Sequence, residues 1–419
     1  MNELRLWRGI LSLFGGNVVF ALGQFGVMVV IGKFAGAEAL GMYALATAIT
    51  GPVFAFSALG LRQSLATDVN NHFGLSSYLQ LYVIFSMLAL TVCLSIVGVG
   101  SYTTMGMVSI LALSIARVAE NGSQLCYGLF QLYGHIQLVS RSLIFRGILG
   151  LIALFMMLKL YKESMQWGIL SLALSWVLVL LLHDVPQIKA CSQNATNLNV
   201  LFSELNLRRT YSLFIVTLPL GALALITSLG LNIPRYFIEQ QLGFRELGFF
   251  AAVVQLSNMG SLVVNAVGQT IVSRLAKHHV SQPKAYLRLL FQALLFAVGM
   301  GISGIAIVWF WGGELLALIY SNDFSEHAYT FLAAMVWAAI LYISVTLGCA
   351  LTAMRSFSTQ FVIGSVSLLF MLCTSWMLID EYGTVGAVYS MMLGVSAKVI
   401  LQVVSLYSSF GTFQLKGNR

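Results

Sequence analysis

The sequence predicts an all-α, polytopic membrane protein of about 12 transmembrane helices, arranged as two six-helix lobes around a central cavity. Three observations predict it. Hydrophobic residues fill 59% and charged residues only 9% of the 419 positions, and the mean hydropathy is positive, so there is too little polar surface to coat a water-soluble globule. Nearly the whole chain parses into apolar runs of about 20 residues, the length a helix needs to cross a hydrocarbon core about 30 Å thick. A motif from the first half also returns in the second, close to half the chain away.

Taken in order, apolar runs at 10–32, 39–61, 78–100, 105–133, 139–158 and 166–183 predict six helices, and runs at 211–238, 247–273, 287–311, 329–354, 358–379 and 384–408 predict six more. Arg5 and Arg8 ahead of the first run look superficially like the start of a signal peptide. That run is long and more spans follow it, so it reads as the first helix. Residues 184–210 form the longest polar connection, which gives the expected organisation: an N-terminal six-helix lobe at 1–183, a cytoplasmic linker at 184–210 and a C-terminal six-helix lobe at 211–419.

Alternate connections differ sharply in basic residues. One side collects Arg5, Arg8, Arg62, Arg141, Arg208, Arg209, Arg274, Lys284, Arg288 and Lys416 among others, the opposite side only Lys33, Lys159, Lys162 and Arg245. Cytoplasmic connections carry the Lys and Arg excess, so both termini are expected in the cytoplasm.

The repeat supports the same count. Gly36-Ala-Glu-Ala-Leu-Gly-Met-Tyr43 matches Gly243-Phe-Arg-Glu-Leu-Gly-Phe-Phe250 as G-x-x-x-L-G-x-aromatic, at an offset of 207 residues. Both copies fall between the first two helices of their half. Six helices per half leave the copies in the same membrane orientation, so the repeats are parallel, related by an axis along the membrane normal.

The net charge of +8 comes without a basic run with interleaved aromatics, so no nucleic-acid partner is expected. The five cysteines lack ligand spacing and lie mostly in apolar runs, which implies neither a metal nor a disulfide. No G-x-x-x-x-G-K-[ST], H-E-x-x-H or Gly-rich dinucleotide loop occurs, so no cofactor and no enzyme chemistry is expected.

Ionisable and amide side chains inside apolar helices are costly, which makes each a candidate for function. Arg117 and Glu120 stand i,i+3 on the fourth helix, either as a self-neutralised structural pair or as part of a site. Arg146 on the fifth helix either serves the cavity or snorkels to the cytoplasmic end. The repeat offset places Arg235 over Met28, deep in a helix, and the preceding Pro234 frees the Gly230 carbonyl. The other reading ends the seventh helix near Asn232 and puts Arg235 in a loop. Lys398 lies deep in the last helix and is a weaker candidate. Gln255, Asn258, Ser261, Asn265 and Gln269 recur every three or four residues on the eighth helix, one continuous polar stripe that serves either helix contact or a wet cavity wall. Arg62 closes the second helix.

These segments carry a resemblance. Gly60-Leu-Arg-Gln-Ser-Leu-Ala-Thr-Asp68, Ser140-Arg-Ser-Leu-Ile-Phe-Arg-Gly147, and the stretch from Leu218-Pro-Leu-Gly221 through Asn232-Ile-Pro-Arg-Tyr-Phe-Ile-Glu239 to Gly248 resemble polysaccharide (O-antigen type) flippases of the multidrug/oligosaccharidyl-lipid/polysaccharide exporter superfamily. The resemblance covers essentially the whole chain. It implies a transporter of the bacterial cytoplasmic (inner) membrane that moves an undecaprenyl-pyrophosphate-linked oligosaccharide between leaflets, for O-antigen or lipopolysaccharide assembly, through a cationic cavity. Its implied partners are that glycan, membrane lipid and polysaccharide-assembly proteins. The implied substrate-binding positions are Arg62, Arg117, Arg146 and Arg235, beside the stripe residues Gln255, Asn258, Asn265 and Gln269.

Two rival classes share parts of this reading. A drug or metabolite efflux antiporter of the same superfamily has the same helix count, but Glu120 is the one clear mid-helix acid here. A membrane glycan polymerase or ligase typically carries a large polar outer loop, and the outer connections here are short.

Overall fold

A computed structural model describes residues 3–68, 70–100, 102–161, 164–191, 207–354 and 356–417. Among these residues the secondary structure is helical, with no strand. The helices are α1 (Glu3–Phe34), α2 (Gly36–Ser57), α3 (Leu61–Thr67), α4 (Gly74–Val99), α5 (Thr104–Leu132), α6 (Ile136–Leu160), α7 (Met165–Val179) and α8 (Val185–Cys191), with a π-helical turn Leu180–Asp184 joining α7 to α8. They continue as α9 (Leu207–Leu242), α10 (Phe244–Asn258), α11 (Gly260–Ser281), α12 (Pro283–Ile319), α13 (Asn322–Ser325), α14 (Ala328–Ala353) and α15 (Phe357–Gly417). The expected 184–210 linker lies outside the described residues from 192 to 206.

Ten helical stretches among the described residues are long and apolar enough to cross a membrane. One of them, Ser358–Ser408, has 51 residues, roughly 75 Å of helix, which is more than twice a bilayer core. It turns at Gly383, where φ is 59° and ψ is −136°, so it makes two crossings, as the separate runs 358–379 and 384–408 require. The 29-residue α5 is long enough to span but more polar, carrying Arg117, Glu120 and Asn121. With it the crossings number twelve, and the chain is a multi-pass membrane protein. Its outer surface agrees: Trp309, Phe310, Leu369 and Trp376 are each more than 60% exposed, a coat that only lipid tolerates in such number.

The chain divides into two compact units, Met1–Leu229 and Gly230–Arg419, whose boundary falls inside α9. In the first unit α5 is the central helix, packed by α2, α3, α4, α6 and α7. The tightest pairing is α1 with α6. A β-carbon added at Gly23 would stand 2.7 Å from the Gly147 carbonyl oxygen, and one at Gly16 would stand 2.8 Å from the Ser140 Cα. The small residues at 16 and 23 face those at 140 and 147, seven apart on both helices, so the backbones nearly touch and dispersion replaces the missing hydrophobic drive. Ser140 Oγ donates to the Ser12 carbonyl at 2.6 Å across the same seam.

In the second unit α14 is the central helix, packed by α10, α11, α12 and α15. It is apolar, with Trp337 and Ala338 at 1% and 0% exposure, whereas α5 in the equivalent fourth place of the first half carries charge.

The repeated motif is the same structure twice. Gly36 and Gly243 have φ of 85° and 86°, a left-handed conformation that glycine adopts without strain, and each turns the chain into the next helix. Leu40 and Leu247 are both 0% exposed, and Tyr43 and Phe250 are buried at 5% and 0%.

Two elements depart from the sequence expectation. The sixth crossing, expected to stop at 183, continues through the π turn into α8. Pro186 has no N–H and its ring would meet the Leu182 carbonyl in a regular turn. The Val185 N–H reaches back instead to the Leu180 carbonyl, five residues away, and the wider turn accommodates the proline. The eighth crossing is not one continuous helix. The Tyr342 hydroxyl donates to the Ser257 carbonyl at 2.8 Å, takes the acceptor that the next turn would use, and separates α10 from α11 at Met259.

Candidate functional site

Polar side chains converge on one face of α5. Arg117, Glu120, Asn121, Gln124, Tyr127 and Gln131 follow each other at intervals of one to four residues, and the three- and four-residue steps keep them along one side of the helix. Thr103 starts the helix by accepting from the Gly106 N–H at 3.2 Å, an N-cap that satisfies one of the unpaired first-turn donors.

Arg62 reaches this face from α3. Leu59 and Gly60, with φ of 47° and 62°, reverse the chain after α2. Gly128 then lets α3 lie directly on α5: a β-carbon there would stand 3.0 Å from the Arg62 carbonyl oxygen. From that position Arg62 Nη1 donates to Gln124 Oε1 at 2.7 Å and Nε to Gln131 Oε1 at 3.4 Å. The guanidinium carbon lies 5.3 Å from the centre of the Tyr127 ring, within range of a cation–π contact.

Arg117 Nη1 donates to Glu120 Oε2 at 2.6 Å, with the arginine side chain 31% exposed and the glutamate 16%. The same carboxylate faces a second arginine, since Glu120 Oε1 is 3.7 Å from Arg146 Nη2. Arg146 does not snorkel; it is 0% exposed. Its guanidinium carbon sits 4.5 Å from the Trp176 ring centre and 5.4 Å from that of Phe20. Gly150 makes room for Trp176, whose Nε1 would stand 3.2 Å from a β-carbon added there. None of the three guanidinium nitrogens of Arg146 makes a hydrogen bond among the described residues.

Asn121 ties α5 to α2, donating to the Phe54 carbonyl at 3.1 Å and to Ser57 Oγ at 3.0 Å. Tyr127 and Ser142 share a 2.7 Å hydroxyl contact between α5 and α6. Asp184, 0% exposed, is held on the π turn with its Oδ1 2.9 Å from His183 Nδ1. Two arginines thus flank one glutamate at the centre of the first unit, and a third, Arg62, lies further along the same face of α5 beside Gln124 and Tyr127.

The other expected residues belong to the second unit. α9 runs unbroken past Asn232, so Arg235 lies inside a helix and not in a loop, next to buried Pro234. Its Nη1 donates to Asn232 Oδ1 at 3.2 Å. Gln255 and Asn258 are half-buried on α10, whereas Asn265 and Gln269 are exposed on α11. Asn265 Nδ2 donates to the Ser261 carbonyl at 2.8 Å. Two segments offset at Met259 therefore carry what the sequence reads as one stripe. Lys398 makes no hydrogen bond or ion pair among the described residues.

Sequence reasoning overlooked Gln124, Gln131, Asn121 and Asp184. The first three share the spacing that singled out the eighth helix, so the same test applied to α5 finds them. Asp184 is flagged by the proline two residues later. Among the described residues no three His, Cys, Asp or Glu side chains gather to hold a metal ion.

Comparison with known proteins gives a consistent result. The chain is 24% identical over 379 residues to the capsular polysaccharide biosynthesis protein CapF of Staphylococcus aureus, covering 90% of this chain and 92% of that one. Among solved structures it is similar to an inward-facing multidrug resistance MATE family transporter of the MOP superfamily, with a TM-score of 0.73 at 10% identity over 95% of this chain and 96% of the other. It is also similar to the lipid II flippase MurJ in an inward closed conformation, with a TM-score of 0.70 at 14% identity over 95% and 87%. These last two likenesses are of fold, and the fold is that of the MOP-superfamily transporters. The sequence profile of the polysaccharide biosynthesis protein family matches residues 6–279, well over half of the 419, and the chain belongs to that family.

Proposed function

We propose that the protein is a flippase for a lipid-linked oligosaccharide, an undecaprenyl-pyrophosphate glycan, which it moves from the inner to the outer leaflet of the bacterial cytoplasmic membrane by alternating access. In this reading the lobes are 1–183 and 211–419, the 184–210 connection is cytoplasmic, and both termini face the cytoplasm. The observation that carries the proposal is the excess of arginine around the central helix of the first unit: Arg117 on α5 and Arg146 on α6 share the single carboxylate of Glu120, and Arg62 on α3 holds Gln124 of the same helix. Each sugar hydroxyl taken unpaired into hydrocarbon costs several kcal/mol, so a glycan does not cross unaided. A polar wall removes that barrier, and arginine's planar fork suits a pyrophosphate. Outward movement of an anion also gains about 2.3 kcal/mol per charge per 100 mV of inside-negative potential. In the second lobe the proposed substrate contacts are Arg235, Gln255, Asn258, Asn265 and Gln269.

The test is export in cells. Loss of the protein strands lipid-linked repeat units on the inner leaflet, and Arg235→Ala does the same while inserting normally. Full export by a well-expressed Arg235→Ala protein removes that residue from the site. Efflux of a drug or metabolite is the second reading, favoured by the fold shared with the multidrug resistance transporter. Drug resistance conferred by the protein, with no effect on glycan export, would establish it instead.

A further inference from the structure

Glu120 stands between two arginines in unequal states. On one side it holds a 2.6 Å hydrogen bond to Arg117, which is accessible enough to meet a ligand. On the other side its Oε1 stands 3.7 Å from Nη2 of Arg146, an ion pair beyond hydrogen-bond distance, and Arg146 is wholly buried with none of its three nitrogens hydrogen-bonded among the described residues. A buried guanidinium without hydrogen-bond partners is costly to keep. Arg117, by contrast, has its Nη1 committed to Glu120, and an anion that takes the Arg117 fork competes with the carboxylate for that donor. The carboxylate has less than an ångström to travel to reach hydrogen-bond distance of Arg146.

We propose that Glu120 is a two-position switch: a phosphate-class anion that binds Arg117 displaces the carboxylate onto Arg146. The proposal rests on the flippase reading for the identity of the anion, the pyrophosphate of the lipid carrier, but the switch itself is set by the three side chains. In the unliganded state Glu120 masks Arg117. In the liganded state the anion takes the Arg117 fork, and Glu120 satisfies Arg146. The anion's added negative charge is met by Arg117 and that of Glu120 by Arg146, so each negative group keeps a guanidinium partner. The consequence is mechanical. Arg146 is packed on Trp176 of α7 and Phe20 of α1, so pulling its guanidinium toward α5 alters the contact of α1, α6 and α7 with the central helix. Occupancy at Arg117 is thereby transmitted into the packing of the first unit. Arg117 is the binding residue in this account, and Glu120 and Arg146 are positioning residues.

Inorganic pyrophosphate added to the purified full-length protein in lipid nanodiscs tests it, with binding read by calorimetry and the Arg146 environment by tryptophan emission. The expected result is binding accompanied by a change in emission. Trp176→Phe removes the emission change and keeps the binding, and Arg117→Gln lowers the affinity at least tenfold. Glu120→Gln keeps or strengthens binding by several-fold but loses the emission change. Should Glu120→Gln fail to fold because Arg146 loses its buried anion, Glu120→Gln combined with Arg146→Met removes both charges and is expected to bind without a response. An emission change that survives in a folded Glu120→Gln or double variant overturns the switch, as does undiminished binding by Arg117→Gln. Absence of pyrophosphate binding by the wild type, with glycan export in cells still dependent on the protein, overturns the switch alone. Export independent of the protein would sink the flippase reading instead.

Discussion

Arg62 Nη1 donates to Gln124 Oε1 at 2.7 Å across 62 residues of sequence. The bond fixes the short α3 against the central α5 and holds the guanidinium at the polar face, where it stays half-buried. Gln131 adds a longer contact at 3.4 Å, too weak to hold the arginine by itself. Hydrogen bonds to charged groups contribute about 1.5–3 kcal/mol, so Gln124→Leu is expected to lower the melting temperature of the purified protein by several degrees. Arg62→Lys keeps the charge but cannot serve both glutamines with one planar fork, and a smaller loss of about 1 kcal/mol is expected. Melting of Gln124→Leu within a degree of the wild type would show that the bond contributes nothing to holding α3.

The α1–α6 seam gives a paired test at two glycines of one helix. A methyl group at Gly23 meets the Gly147 backbone, with the carbonyl oxygen at 2.7 Å and Cα at 2.8 Å. Neither atom can swing aside as a side chain would. Gly23→Ala is therefore expected to force the helices apart and cost about 1–3 kcal/mol. Gly15 has nothing within 4 Å of its β-position, and Gly15→Ala is expected to be neutral or to stabilise by up to about 1 kcal/mol through helix propensity. Detergent-resistance or thermal unfolding assays on both variants check this, and equal effects at the two positions would contradict the close approach.

Which parts of this architecture the sequence announces follows from the range of the interactions. The twelve crossings are local facts, each set by the length of an apolar run, and even the bend at Gly383 falls between two runs. The twin glycines 36 and 243 are visible as a repeat because the same left-handed turn needs the same residue twice. The break at Met259 is different: the hydroxyl of Tyr342 that takes the Ser257 carbonyl comes from 85 residues beyond that serine, and locally only the glycine at 260 hints at it. Likewise Arg62 can be suspected of function from its place at a helix end, but its hold on Gln124 depends on Gly128 admitting α3 to the surface of α5. Arg146 illustrates the third case. Its position two turns into the fifth helix leaves a cavity role and snorkelling equally open, and the burial that rules out snorkelling comes from the rings of Phe20 and Trp176 on other helices.

His327 makes stability depend on pH at one connection of the second unit. Its ring stacks on Phe249 with centroids 4.1 Å apart, and Arg245 lies 5.7 Å from that ring centre. Burial, as the largest cause, holds the imidazole below its ordinary value of 6.5, with Glu246 and Glu326 pulling it up and Arg245 pushing it down. The folded state thus binds the proton less readily than the unfolded chain. Its stabilising contribution is complete above the ordinary value and is lost as pH falls below it. Melting temperatures measured from pH 8 to pH 5 are expected to decline on the acid side, and His327→Phe is expected to flatten part of that decline. An unchanged pH profile in a folded His327→Phe protein would assign the effect to other groups.

The Tyr342 hydroxyl is the clearest single cause of backbone shape in the second unit. By donating to the Ser257 carbonyl at 2.8 Å it occupies the acceptor that the Ser261 N–H would use in an unbroken helix. Gly260 fits beneath it because any β-carbon there would collide with the same hydroxyl oxygen. Tyr342→Phe frees the carbonyl, and the helical ladder can close across Met259 at little net cost, because one hydrogen bond replaces another. Rejoining α10 and α11 changes the rotation of every residue beyond the break relative to those before it. Asn265 and Gln269, exposed now, turn with it. Single cysteines at Asn265→Cys and Gln269→Cys are therefore expected to react with an aqueous thiol reagent at rates that shift several-fold when Tyr342→Phe is added, while a cysteine at Gln255→Cys, ahead of the break, keeps its rate. Equal labelling with and without the tyrosine hydroxyl would mean that the offset is built into the local sequence around Met259 and that Tyr342 merely occupies it.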